Sequence, residues 1–196
     1  MGKAAGPLLA VLLALPAPGA AEPVERESEY EMPAAEAWRQ PGFRVQLRFG
    51  LDDLVGTDAP DASGFSFAVE PGIRLSESFT ISAALRYAVL DVGLQGVRYT
   101  TTADLTWHVW DGLFLAGGFG YAGLVADATF RGCDGQGIAA LARTGWLLAT
   151  GEIFATGPVV QLDQQWTWCR SSGGWDPGER LWRHRTLHFS WSLAWR

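Results

Sequence analysis

The chain has 196 residues, 24 of them glycine, ten tryptophan and ten phenylalanine, and a formal net charge of −6. That length allows one domain with a sizeable core, and the acidic balance excludes nucleic acid as a partner. Lys3 is the only lysine, so the basic charge of the rest of the chain is arginine, which suits bidentate pairing with carboxylates in a confined space.

Residues 1–21 read as a secretory signal peptide. Lys3 supplies the positive start, Pro7 to Leu15 the apolar run, and Ala17 to Ala21 the small residues of a cleavage site. The apolar run is about half of the ~20 residues that a membrane-spanning helix needs, and no later window could serve as one. Residues 22–41 carry six glutamates against few positive charges and no apolar period, and read as a disordered acidic leader. Within it, Pro33 and Pro41 bracket a short Ala/Glu stretch with the makings of one helical turn.

From Gly42 onward one pattern repeats, an alternating run followed by a turn or loop. Phe43, Val45, Leu47 and Phe49 oppose Arg44, Gln46 and Arg48. Residues 51–63, rich in Asp, Gly and Pro, read as a long loop. Its Asp52, Asp53, Asp58 and Asp61 match no calcium-loop spacing and read as solvated acid. The next faces are Phe65, Phe67, Val69 and Ile73, then Phe79, Ile81, Leu85, Tyr87 and Val89 opposite Arg86, then Val97, Tyr99, Leu105, Trp107 and Val109 opposite Arg98 and Asp104. Asp111-Gly112 is the strongest hairpin signal. It leads to Leu113, Leu115, Phe119, Tyr121 and Val125, and then to a loop at 127–137. Ile138, Thr144, Trp146 and Leu148 oppose Leu141 and Arg143; Phe154, Val160 and Leu162 oppose Gln161, Asp163 and Gln165. A loop at 169–182 precedes the closing run Leu187 to Trp195, in which Leu187, Phe189, Trp191, Leu193 and Trp195 share a face opposite His188, Ser190 and Ser192. Pro71 and Pro158 fall inside runs, and bulges or strand ends are expected there.

Eight strands with alternating short and long connections predict an all-β fold, an eight-stranded antiparallel up-and-down barrel. One face carries bulky apolar and aromatic side chains in nearly every strand, too much volume for the interior of an eight-stranded barrel. The other carries Arg44, Arg48, Glu70, Arg86, Arg98, Asp104, Arg143 and Asp163 among small polar residues, which suits a lumen filled by an arginine–carboxylate network. The apolar face is therefore assigned to lipid, making the barrel transmembrane, and the rival reading of a soluble lipocalin-like carrier would need the opposite assignment. Trp107 and Trp195 fit a girdle at the short-turn end, and Tyr99, Tyr121 and Trp166 one nearer the long loops.

On this pattern, over residues 42–196, the chain resembles the small outer-membrane β-barrels of Gram-negative bacteria, the class of the OmpA transmembrane domain and OmpX. The resemblance implies the outer membrane as location after signal-peptide cleavage, outer-membrane lipid and the insertion machinery as partners, both termini in the periplasm and the long loops at the cell surface. It departs from that class at Arg196, which follows Trp195 where such chains usually end on an aromatic residue. Cys133 and Cys169 fall in two long connections on one side of the barrel and are expected to form a disulfide in an oxidising compartment. Arg180, Arg183 and Arg185 cluster near the outer end of the last strand, where arginine suits lipopolysaccharide phosphates. His188 and Ser190 lie two apart, a spacing that resembles the His and Ser of the outer-membrane lipid A deacylase, also an eight-stranded barrel. Trp191 stands where that family has Asn, no acid partner is evident, and both side chains should face the lumen. The reading is thus a non-enzymatic, monomeric barrel with a structural or surface-interaction role, needing no cofactor or metal; a lipid A-modifying enzyme is the alternative.

Overall fold

A computed structural model of the chain describes residues 34–56, 61–92, 96–126, 133–171 and 179–196. The expected signal peptide, most of the acidic leader, Asp58 and the tips of the longer connections lie outside the described residues.

Among the described residues, nine strands follow one short helix. They are α1 (Ala34–Arg39), β1 (Gly42–Gly56), β2 (Ala62–Arg74), β3 (Phe79–Val92), β4 (Gly96–Trp110), β5 (Leu113–Ala126), β6 (Cys133–Trp146), β7 (Leu148–Ala149), β8 (Phe154–Ser171) and β9 (Glu179–Trp195). Strands adjacent in the barrel pair antiparallel. β1 also pairs with β9, from Val45 against Trp195 to Gly56 against His184, which closes the sheet into a barrel. Closure gives every stave a neighbour on both sides. The two-residue β7 continues β6 in the same register against β8, so the barrel has eight staves.

The break between β6 and β7 has a visible cause. Trp146 and Leu147 lie opposite Pro158 and Gly157 of β8, and Pro158 has no N–H to donate to the ladder. Pro71 likewise costs β2 its pairing with β3 at two positions, while the register is the same on either side. Neither proline causes a bulge. The register shifts fall instead at Ser63/Gly64 and at His108/Trp110. Asp111-Gly112 makes the expected two-residue turn, with Gly112 at φ 85°, a conformation that costs glycine little.

Three expected loops are shorter than the sequence implies. β1 runs through Asp52 and Asp53 to Gly56, β6 begins at Cys133, and β8 reaches Ser171. Strand pairing is a backbone property, and polar or glycine residues do not end it where a neighbouring strand continues. A side chain at Gly137 would collide with the Trp166 backbone, so glycine there permits the close approach. The strands, up to 18 residues long, exceed the roughly 9–11 needed to cross a bilayer and rise above the apolar band.

The alternation resolves into an apolar outside and a polar inside. Phe119 is 75% exposed and Leu85 57%, whereas Arg98 is 1% exposed and Asp163 is fully buried. This is the inverse of a soluble barrel, and the lipocalin-like assignment is overturned by it. Aromatic rings collect at two levels of the exterior. Trp110 and Trp146 lie 6.1 Å apart and Phe154 and Trp195 5.5 Å apart near the short turns, and Tyr99 and Tyr121 lie 6.1 Å apart nearer the long connections.

Candidate functional site

The lumen is the site, and it is built in three layers. At the long-connection end, Leu54, Ala62, Leu90, Leu124 and Cys169 form a buried apolar cluster against which Trp182 packs. These residues continue the inner face of their strands. The inside is thus not polar throughout: beside the expected arginine–carboxylate network it holds a small hydrophobic core at this end.

The middle layer holds charge. Glu70 accepts two hydrogen bonds from Arg143, at 2.6 and 2.7 Å, and one from the Ser82 hydroxyl at 2.6 Å, and forms an ion pair with Arg48 at 3.1 Å. Arg143 also stands 3.5 Å from Asp104 and over the Phe114 ring at 5.8 Å. A side chain at Gly118 would occupy the space of the Asp104 carboxylate. Arg48 donates to Gln161 Oε1 at 2.5 Å, and Gln161 donates to Asp163 at 2.6 Å. Asp163 pairs with Arg86 at 2.8 Å. Arg98 pairs with Asp52 at 2.5 Å and donates to Thr186, while Ser66 donates to Asp52 at 2.6 Å. Four arginines (Arg48, Arg86, Arg98, Arg143) therefore meet four carboxylates (Asp52, Glu70, Asp104, Asp163), whose formal charges cancel.

Two placements correct the sequence reading. Asp52, expected in a solvated acidic loop, is fully buried in β1 and faces the lumen beside Arg98. His188, expected to lack an acid partner, has two. Its Nδ1 faces Asp52, and its Nε2 faces Asp163 at 2.8 Å, with Arg86 also against Nε2. The register of β9 against β1 sets His188 directly opposite Asp52, a pairing 136 residues apart in sequence. The Ser190 hydroxyl, however, donates to the Val159 carbonyl at 3.4 Å, and no hydrogen bond among the described residues joins it to His188. A nucleophile needs its base within hydrogen-bond reach, and this Ser–His pair lacks that contact.

The short-turn end is covered by α1, in part of the segment expected to be a disordered leader. Trp38 is the reason. It is buried against Ala155 and Ala194, and its indole N–H donates to the Gly151 carbonyl at 3.1 Å. Arg44 stacks on the ring at 4.4 Å and donates to the Trp38 carbonyl at 2.5 Å. Arg39 pairs with Asp111 at 2.7 Å, and Arg196 donates to the Ala37 carbonyl at 2.7 Å and to Gln40 at 3.1 Å. Regular structure among the described residues thus begins at Ala34, ahead of the expected boundary at 42.

Of the remaining expected site residues, Arg183 and Arg185 are exposed on the outer face of β9, and Arg185 donates to Gln164 at 2.9 Å. Arg180 lies in β9 opposite Cys169. Cys133 and Cys169 lie at strand ends rather than in loops, on the neighbouring strands β6 and β8, with Cys133 opposite Ser171 and Cys169 opposite Gly135.

Among solved structures, 17 chains are similar to this one. The crystal structure of Neisserial surface protein A superposes with a TM-score of 0.59 at 12% identity, over 80% of this chain and 98% of that one. The outer membrane protein OprG from Pseudomonas aeruginosa gives 0.47 at 7% identity over 80% and 98%, and the N-terminal β-barrel domain of OprF from the same organism gives 0.41 at 15% identity over 78% and 99%. No family profile and no curated protein matches the sequence. The likeness to the neisserial protein is one of fold, the small eight-stranded barrel found in outer-membrane proteins.

Proposed function

We propose that this chain is a monomeric outer-membrane barrel of a Gram-negative bacterium, exported by a cleaved signal peptide and inserted by the outer-membrane machinery. In this reading it is not an enzyme and acts structurally or through interactions made by its long connections at the cell surface. The observation that carries the proposal is the inversion of the barrel, apolar without and charge-balanced within. A charge turned to lipid near the midplane costs about 2–4 kcal/mol, and the middle of the exterior avoids that cost, with outward-facing Asp53, Arg183 and Arg185 lying toward the long-connection end. The apolar cluster at one end and the arginine–carboxylate layer in the middle support a plugged lumen. The purified protein in a planar bilayer is expected to give no stepwise conductance; regular single-channel steps would overturn the plugged-lumen reading.

At the surface end, Cys133 and Cys169 are proposed to bridge the ends of β6 and β8, from which two of the long connections spring. Their adjacency across the β6–β8 register supports it, as does the oxidising compartment. Arg183 and Arg185, with Arg180, are proposed to hold lipopolysaccharide phosphates, for which arginine is well suited. Non-reducing mass spectrometry is expected to find no free thiol, and Arg183→Ala with Arg185→Ala to reduce co-purifying lipid A. Two free thiols would remove the first assignment, and unchanged lipid A the second.

A further inference from the structure

A cavity of about 600 Å³ occupies the short-turn end of the lumen, between Trp38 of α1 and the Glu70 layer. Its volume lies within the range of small-molecule sites. Its walls differ in kind from the balanced layer above. Arg44 is 7% exposed, and its hydrogen-bond partners among the described residues are the carbonyls of Trp38 and Gln40, both reached through Nη2. Its Nε and Nη1 are buried without a partner among those residues. Arg74 is also buried and donates to the carbonyls of Trp38, Ser76 and Glu77. Two guanidinium groups therefore share the Trp38 carbonyl, and neither has an ion pair with a carboxylate among the described residues.

None of the carboxylates on the cavity wall forms an ion pair with Arg44 or Arg74 among the described residues, although the charge of Glu77 acts on Arg74. Glu70 serves Arg143 and Arg48, Asp111 serves Arg39, and Glu77 is exposed. A buried cation left with unused donors is costly unless an anion compensates it. Trp38, Phe114 and Leu147 supply apolar wall, and Thr106 of β4 lines the cavity as well. A bare inorganic anion would satisfy the arginines and leave the apolar wall and most of the volume unfilled.

We propose that this cavity binds a small organic anion, with its carboxylate on Arg44 and Arg74 and an aromatic or apolar body against Trp38 and Phe114. Exposed Arg39, Glu77 and Asp111 line the cavity at the end that carries α1, so its ligand comes from that side of the barrel. Trp38 forms part of the wall, and occupancy and the seating of α1 are coupled.

The test uses the full chain in phospholipid nanodiscs and fluorine NMR of 4-(trifluoromethyl)benzoate, with 4-(trifluoromethyl)benzyl alcohol as the uncharged counterpart. The benzoate is expected to show saturable line broadening and the alcohol none. Arg44→Gln should weaken benzoate binding about tenfold or more, the scale of one lost charge-assisted contact. Because Arg44 also holds α1, a second variant, Thr106→Phe, fills the cavity from β4 and leaves both arginines in place. It should abolish the broadening, with heat-modifiable gel migration confirming that the barrel is folded. Equal binding of acid and alcohol, no saturation at millimolar benzoate, or binding that survives Thr106→Phe would overturn the proposal.

Discussion

Glu70→Gln is expected to destabilise the barrel by about 3–5 kcal/mol, the scale of removing one partner from a buried ion pair. Glu70 is the carboxylate that two arginines share. Arg143 donates to both of its oxygens and Arg48 pairs at 3.1 Å, while all three side chains are nearly inaccessible to solvent. Glutamine keeps the volume and its oxygen can still accept from Ser82, but its amide nitrogen would face arginine donors, so the loss combines the charge with at least one hydrogen bond. Arg48 would keep Gln161 as partner, and Arg143 would keep Asp104 at 3.5 Å. Urea unfolding of protein folded into phospholipid vesicles reads the difference. Pairing Glu70→Gln with Arg143→Met should recover part of the loss, since two neighbouring substitutions in one network do not add. A loss under about 1 kcal/mol, the range of an ordinary neutral hydrogen bond, would mean that the ion network does not set the lumen's stability.

Leu85→Arg is expected to cost about 2–4 kcal/mol in the same vesicle assay, the cost of a cation at the bilayer midplane. Leu85 lies midway along β3, is 57% exposed, and is flanked in register by Val69 and Thr101. In a water-soluble barrel the same change would put a charge on a surface leucine and shift stability by no more than about 0.5 kcal/mol. A shift that small in vesicles would remove lipid from the outer face.

The alternation makes the two faces legible, and with them the eight staves and the inward arginines. Side-chain parity is a local property, and eight consecutive runs agree. Asp52 is misplaced by the sequence reading although its parity is available. It continues the even-numbered series of Arg44 and Arg48, and only the composition of 51–63, rich in turn-forming residues, points to a loop. Pairing partners are not legible, because they depend on barrel register. Glu70 meets Arg143 across 73 residues and His188 meets Asp52 across 136, and no spacing in the chain encodes either. The cap at the short-turn end is half visible. Proline brackets mark a helical turn, but Trp38 in an acidic stretch is the one sign that the turn has somewhere to dock. Arg44, Arg74 and Arg196, which hold α1 there, come from three other parts of the fold. The apolar cluster of Leu54, Leu90 and Leu124 is hidden for a similar reason. Each residue reads singly as an interruption of a polar face, and only closure of the barrel brings them together.

The central claim is that the outside of this barrel faces lipid. Phe119, midway along β5 and 75% exposed, is the position to ask. With Phe119→p-benzoylphenylalanine, irradiation of intact cells should yield a protein–phospholipid adduct in the outer-membrane fraction, seen by mass spectrometry of the purified chain. Recovery of the chain in the soluble periplasm, with no lipid adduct after irradiation, would contradict it.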